Sequence, residues 1–468
     1  MTENKNELNI NNMLFRMKEV EEKSGSSSMC IAKWMQSTVY LMNGTTHSCH
    51  HPAVHKIPLS EIKDNPSALH NTSFKRAQRE KMLQGKRPSE CQYCWQIEDL
   101  GGNHISDRVY KSTDEDWAYP YLEKVLKEKV GKNNIPSYLE VAFDSTCNMK
   151  CMYCTPEIST QWMEEVKKFG AYEGTTHRVG NLEWIKSQDR IPMLDTENNP
   201  YIKAFWQWWP DLYKELKTFR ITGGEPLLSV NTWKVLDVIK ANPRKDFSLA
   251  INTNLQVHPQ ILNRFINYYN EIAPNIKSFK VYTSAEAHGA QAEYIRFGMN
   301  YDSFLYNIKD FLKRTHANSQ INLMITFNVL SLSTFDLFLK DILSIRREFN
   351  VNNGFNRLPM MINYLRWPEF QNVRVAPFDV KKKYIEKIKE YMLDNSSVRG
   401  CDEAGIFYLE EVDQVNRLEL YMFSPMKSDD LKRQFKDFKV FYREYDKRKN
   451  ISMKNLFPEY SALYEAES

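Results

Sequence analysis

Residues 138–154 read YLEVAFDSTCNMKCMYC, a strand-like segment that runs straight into Cys147, Cys151 and Cys154. Three thiolates at this Cys-x3-Cys-x2-Cys spacing can hold three corners of a cubane iron-sulfur cluster. With no fourth cysteine nearby, the last iron is left without a protein ligand and becomes a chemical site. A structural zinc knuckle or a redox dithiol is the alternative use of the same thiols.

Further along, residues 218–228 read TFRITGGEPLL, a short apolar strand that ends in two glycines, a glutamate and a proline. Gly223 and Gly224 let the backbone come close to a ligand, and Glu225 with the neighbouring carbonyls can accept hydrogen bonds from an ammonium group. The cysteine triplet with Tyr153 inside it, followed by the GGEP run ending at Pro226, resembles the radical S-adenosylmethionine (SAM) enzymes. The resemblance implies that SAM chelates the open iron of a [4Fe-4S] cluster, that Tyr153 packs near the adenine, and that the GGEP loop binds the methionine ammonium. It also implies a one-electron reductant such as flavodoxin or ferredoxin, with the cofactor carrying the hard chemistry.

Length and composition fit a multi-part enzyme. The chain has 468 residues, 42% hydrophobic and 26% charged, enough for a full core and two or three domains. No apolar run approaches the ~18 residues of a membrane span. The start, MTENKNELNINNM, is polar and lacks a signal-peptide core, so the expectation is a cytoplasmic protein without a membrane partner. A formal charge of +4 is too small to argue for nucleic acid. Residues 431–450 are locally basic, and read as the solvated face of a terminal helix or as a docking patch.

Eight cysteines in a chain of this kind read as metal ligands, because the cytosol keeps thiols reduced. Besides the triplet, Cys30, Cys49, Cys91 and Cys94 supply a complete four-thiolate set. Residues 29–52 read as a hairpin with an Asn43-Gly44 turn and a cysteine on each arm. Residues 73–94 read as a helix that stops at Gly85 and Pro88 before the Cys91-x2-Cys94 pair. This stretch resembles the auxiliary-cluster module called SPASM or twitch, here placed before the barrel; the resemblance implies a second [4Fe-4S] cluster. A zinc site on the same thiolates is the rival, and His47, His50, His51 or His55 could replace a cysteine in either.

From 138 to 380 the chain alternates strand-like and helical stretches as a parallel α/β barrel does, with candidate strands at 138–146, 218–223, 247–254, 276–286, 321–331 and 359–366. The fold expected is therefore α/β: a partial (β/α)6 radical SAM barrel with a small α+β N-terminal auxiliary-cluster module and a helical C-terminal cap. The expected parts are a polar tail (1–28), the auxiliary module (29–110), a linker helix (111–137), the barrel (138–380) and the cap (381–468).

Sites in such barrels gather at the carboxyl ends of the strands. The resemblance carries Asn254, Ser284, Glu286, Asn328 and Arg296 over as contacts to the ribose and carboxylate of SAM, with Arg296 suited to pairing a carboxylate. SAE at 284–286 departs from the commoner Ser-x-Asp, and each of these residues also reads as an ordinary strand-end cap. Trp206, Trp208 and Trp209 read as channel lining or as packing of the insertion 171–210. Cys401, apart from both sets, reads as a hydrogen-atom donor or as an incidental thiol. Relatives with such auxiliary modules frequently modify peptides or proteins, so the resemblance implies a peptide or protein substrate. Action on a small molecule or nucleotide, and a non-catalytic iron-sulfur or zinc protein, remain alternatives.

Overall fold

The computed structural model describes residues 2–101, 104–128, 133–350, 355–399 and 406–465, with side-chain surroundings from residue 10 onward. The chain is a mixed α/β protein whose strands run mainly parallel. In chain order the strands are β1 (Gln36–Tyr40), β2 (Thr45–His47), β3 (His55–Lys56), β4 (Tyr138–Ala142), β5 (Lys150–Cys151), β6 (Thr218–Thr222), β7 (Ser248–Asn252), β8 (Ser278–Thr283), β9 (Arg296–Phe297), β10 (Ile321–Phe327) and β11 (Met360–Tyr364). Each of the six apolar runs at 138–146 through 359–366 forms a strand, trimmed where polar residues and turns replace the alternating apolar ones.

The chain divides into two compact units: Met1–Asp144, Pro192–Gly223 and Arg244–Leu249 make the first, and Ser145–Ile191, Gly224–Pro243 and Ala250–Ser468 the second. The first unit carries strands in the order β6-β4-β1-β2-β3. β4 lies parallel to β6 with Tyr138 opposite Thr218, and parallel to β1 with Gln36 opposite Tyr138. β1 and β2 form the antiparallel hairpin expected from Asn43-Gly44, pairing Tyr40 with Thr45 and Thr38 with His47.

The stretch read as a polar tail is a helix, Thr2–Ser24. Met13, Met17 and Val20 recur at spacings of four and three, which puts them on one face, and they are buried with Met29, Trp34 and Trp95. The helix Pro200–Glu215 packs its tryptophans inward. Trp209 lies 5.2 Å from Phe205 and 5.1 Å from Phe219 of β6, and Trp206 stacks on Phe143, so these rings serve packing within the first unit.

The second unit carries β11-β10-β8 and the end of β7. β10 is parallel to both neighbours, with Leu323 opposite Met360 and Ile321 opposite Val281. Its Ile321, Leu323, Ile325 and Phe327 are buried, the period of two expected of a pleated strand. The free edge of β11 is closed by side chains of the helix Leu409–Met422. Met360 N donates to Glu411 Oε1 at 3.1 Å and Ile362 N to Gln414 Oε1 at 2.6 Å, so edge amides that would otherwise invite another strand are satisfied.

Glu411 also accepts a two-pronged bond from the fully buried Arg346, at 2.9 and 2.5 Å. Removing one member of a buried pair leaves an uncompensated charge, at a cost of about 3–5 kcal/mol. Glu411→Ala therefore lowers the denaturant midpoint of the second unit by an amount of that order, whereas Glu410→Ala, one residue away in the exposed first turn, shifts it by less than about 0.5 kcal/mol; urea unfolding of both variants checks this.

Candidate functional site

The cysteine triplet lies in the second unit, on a loop pinned from several sides. Cys147 N donates to Thr160 Oγ1 at 3.1 Å, Ser159 Oγ to Met149 O at 3.0 Å and Trp162 Nε1 to Cys151 O at 2.8 Å. β5 pairs with β9 so that Cys151 lies opposite Arg296, and Met152 N reaches Ile295 O at 2.8 Å. Cys154 N closes a turn onto Cys151 O at 2.9 Å, which brings the second and third cysteines to one side of the loop. All three thiols are half-buried.

The GGEP turn is pressed onto this loop. Glu225 N donates to Thr146 O at 2.7 Å. A Cβ on Gly224 would stand 2.3 Å from Thr146 O and 2.8 Å from Ser145 O, a separation only a glycine permits. Gly223, at φ +125°, adopts backbone conformation closed to ordinary residues, and its added Cβ would meet Asp144 O at 2.9 Å. Pro226 opens a short 3-10 helix, Pro226–Leu228. The buried Glu225 accepts from Leu227 N at 3.0 Å and Asn254 N at 2.6 Å. Burial pushes its carboxyl up to about 7, against the lowering effect of those bonds. Asn254 completes the junction, giving its amide to Asn148 Oδ1 at 2.8 Å in the cysteine loop.

Tyr153, Glu286, Arg296 and Cys151 form one buried cluster. Arg296 gives Nε and a terminal nitrogen to Glu286 Oε2 at 3.0 and 2.8 Å, and Tyr153 gives its hydroxyl to Glu286 Oε1 at 3.1 Å. The guanidinium sits 5.6 Å from the Tyr153 ring centre and 3.9 Å from Cys151 Sγ. Burial raises the Glu286 carboxyl even with Arg296 beside it; for Arg296, burial is outweighed by Glu286, Tyr153 and Cys151 and its pKa rises. Burial also raises all three thiols, Cys151 to about 12, so metal loading has to displace protons.

Ser284 is half-buried just past β8. Asn328 is fully buried and uses its side chain locally, donating to Thr326 O at 3.1 Å and accepting from Leu330 N at 3.0 Å, an Asx turn. Cys401 lies outside the described residues. A residue that sequence reasoning missed is Gln371: fully buried after β11, it donates Nε2 to Met152 O at 3.2 Å, and its Oε1 is buried with no partner. Nothing in the run WPEFQNV signals this, because the contact joins positions 219 residues apart.

In the first unit, Cys30, Cys49, Cys91 and Cys94 line one cavity, together with Lys33, Ser48, His51, Arg108 and Lys111 among others. Burial raises the Cys49, Cys91 and Cys94 thiols, the last two to about 12. Beneath the cavity lies an excess of buried cations. The Lys75 amine meets only neutral acceptors, Ser37 Oγ and Thr46 Oγ1 at 2.8 Å and His47 O at 3.2 Å. Burial, then Arg79 and Lys33, hold it well below the usual lysine range, and burial brings Arg79 to about 9. For Lys33 burial is outweighed by Cys91 and by Glu90, which it bonds, and its pKa rises. Ser48 Oγ is a buried group without a partner. A donor set of four sulfurs, an orphan hydroxyl and buried cations fits an anionic metal-thiolate group.

Among the described residues, the one set of three or more donors drawn within 4.8 Å is His50, His51 and Asp107. The His-His-Asp set is already served by a cation, since Lys111 Nζ stands 3.2 Å from both Asp107 Oδ2 and His50 Nδ1.

No protein-family model matches the chain. Over 248 residues it is 24% identical to the radical SAM cyclopropyl synthase TigE of Paramaledivibacter caminithermalis, a match covering 52% of this chain. The chain spans 46% of the length of that relative. Among solved structures, the crystal structure of Streptococcus suis SuiB bound to S-adenosylmethionine aligns over 81% of this chain and 72% of its own, with 14% identity and a TM-score of 0.31.

Two outcomes follow from these surroundings. Ionising Glu225 in the folded protein costs free energy between its ordinary value of 4.5 and about 7, so its contribution to stability is fully present below 4.5 and falls by about 1.4 kcal/mol per pH unit across that window. Glu225→Gln removes that slope, as pH-dependent denaturation will record. In the first unit, Lys75→Met stabilises the protein in the absence of metal, because a buried amine with only neutral acceptors is removed; the thermal midpoint measures this.

Proposed function

We propose that this chain is a radical SAM enzyme that modifies a peptide or protein, built as a partial barrel with an N-terminal auxiliary-cluster module of the SPASM/twitch kind. The observation that carries the reading is the junction of the two motifs: the GGEP turn lies against the cysteine loop through Glu225 N to Thr146 O at 2.7 Å, at a glycine that admits no side chain. The match to a radical SAM synthase over half of the chain supports it.

In this reading Cys147, Cys151 and Cys154 would hold three irons of a [4Fe-4S] cluster and leave the fourth to SAM. Reduced by a flavodoxin- or ferredoxin-like donor, that group would supply reductive SAM cleavage and so the 5′-deoxyadenosyl radical chemistry that takes hydrogen from a substrate. The chain's own residues set the geometry. Gly223 and Gly224 let the backbone approach the methionine end of SAM, and Glu225, held neutral or ionised near pH 7, accepts from the SAM ammonium, which favours the ionised form. Asn254 and Ser284 offer polar groups past the ends of β7 and β8, whereas Asn328 past β10 spends its side chain on a local turn. Arg296, oriented by Glu286 and Tyr153, faces Cys151 and places positive charge where an extra electron will be stored.

Cys30, Cys49, Cys91 and Cys94 would hold a second, fully ligated cluster, a reading supported by the one cavity that all four line and by the buried Lys33 and Arg108 in the same lining. Cys401 stays a candidate hydrogen donor on sequence grounds alone. No described helix is long and apolar enough to cross a membrane.

Anaerobically reconstituted protein should carry about eight irons and form 5′-deoxyadenosine under a strong reductant. Cys151→Ala abolishes that formation. Cys91→Ala lowers the iron toward about four and retains SAM cleavage while losing modified product. A folded Cys91→Ala protein that cleaves no SAM would overturn the division of labour between the two sets, and a wild type containing zinc and no iron would overturn both.

A further inference from the structure

The second unit holds a cavity of about 470 Å³ that none of the motifs accounts for, lined in part by Arg366, Asn372, Arg374, Tyr421 and Lys427. Its charges are unbalanced in a particular way. Of the two acidic residues at its wall, Asp430 pairs with Arg433 at 2.8 Å, while Glu369 accepts from the neutral Gln434 Nε2 at 2.8 Å and sets one negative charge against three cations. Among the described residues, no carboxylate lies within ion-pair distance of Arg366, Arg374 or Lys427. Arg374 gives one nitrogen to Pro425 O, while its Nε is buried with no partner at all. A buried guanidinium nitrogen left unpaired is costly, and a bound anion would satisfy it.

The segments that supply the lining also expose aromatic rings. Trp367, next to Arg366, is 59% exposed, and Phe378 and Phe423 form an exposed edge-to-face pair at 5.5 Å beyond Tyr421. Large aromatic rings exposed beside unpaired cations mark an interaction surface for a ligand that has both negative charge and apolar groups. The loop that supplies Arg366, Asn372 and Arg374 also supplies Gln371, bonded to Met152 O between two of the cysteines. A ligand in the cavity therefore rests on the same short segment that supports the cysteine loop.

We propose that this cavity docks an acidic segment of the peptide substrate, its carboxylates on Arg366, Arg374 and Lys427 and an apolar side chain against Trp367. The proposal rests on the reading of the chain as a peptide-modifying enzyme and names the class of sequence that the enzyme selects.

The test uses reconstituted full-length protein and fluorescently labelled peptides EEFEE and KKFKK, with inorganic phosphate as competitor. Wild type should bind EEFEE and not KKFKK, more weakly as salt rises. Arg366→Glu and Lys427→Glu, both at exposed positions where the fold is not at risk, should each weaken EEFEE binding about tenfold, about 1.4 kcal/mol. Equal affinity for EEFEE in wild type and in the double variant would overturn the proposal. So would no EEFEE binding by wild type, or displacement by phosphate at the concentration at which the peptide itself binds. SAM cleavage without peptide, measured on the same samples, separates the two levels: wild type that binds EEFEE but cleaves no SAM would overturn the proposed function and leave the docking site standing.

Discussion

Two backbones meet at Gly224, closer than any side chain would allow, and the organisation of the second unit's site follows from that contact. The carbonyl oxygens of Ser145 and Thr146 occupy the space where a Cβ would stand, and Glu225 N is bonded to one of them. Glu225 is thereby turned inward, where burial lifts its carboxyl far enough that a cationic ligand can change its ionisation near neutral pH. Asn254 then ties the same turn back to Asn148, so the start of the cysteine loop is fixed at two points. A loop that must present three thiols at fixed positions cannot rely on its own two-residue strand β5 for rigidity; tertiary bonds, the pairing with β9 among them, supply it.

Both thiol sets share an electrostatic logic. Metal-thiolate clusters carry net negative charge, and each set lies beside buried cations. In the second unit Arg296 stands 3.9 Å from Cys151 Sγ, oriented by a buried glutamate and a tyrosine hydroxyl. In the first, Lys75 and Arg79 are buried without carboxylate partners, and Lys33 is drawn toward its charged form by Cys91 and Glu90. Arg296 and Lys33 are held by Glu286 and Glu90, whereas Lys75 and Arg79 have only neutral acceptors among the described residues, and a bound anionic group would offset their burial.

Much of this was legible in the chain. The six strands follow apolar runs with polar ends, the hairpin follows Asn43-Gly44 between alternating residues, and the helix Ser73–Leu83 stops at the Gly85 signal. The cysteine spacings and GGEP pointed to the two thiol sets because such motifs are local. What was not legible is non-local. The parallel pairing of β1 with β4 joins residues about a hundred positions apart, Gln36 with Tyr138, and no local pattern encodes it. Gln371 reaches Met152 from a loop with no distinguishing composition. The helix Thr2–Ser24 was hidden by polar residues around a sparse apolar face of Met13, Met17 and Val20. Arg296 and Glu286 were read separately as ligand contacts, whereas ten residues and a turn bring them into one ion pair.

The central claim is an iron with no protein ligand, held by Cys147, Cys151 and Cys154 and available to the amino-acid end of SAM. Electron paramagnetic resonance of reduced, reconstituted Cys91→Ala protein tests it most directly, since only the triplet's cluster contributes there. The account predicts a cluster signal whose g-values shift on addition of SAM. A reduced cluster whose spectrum is unmoved by saturating SAM would contradict it.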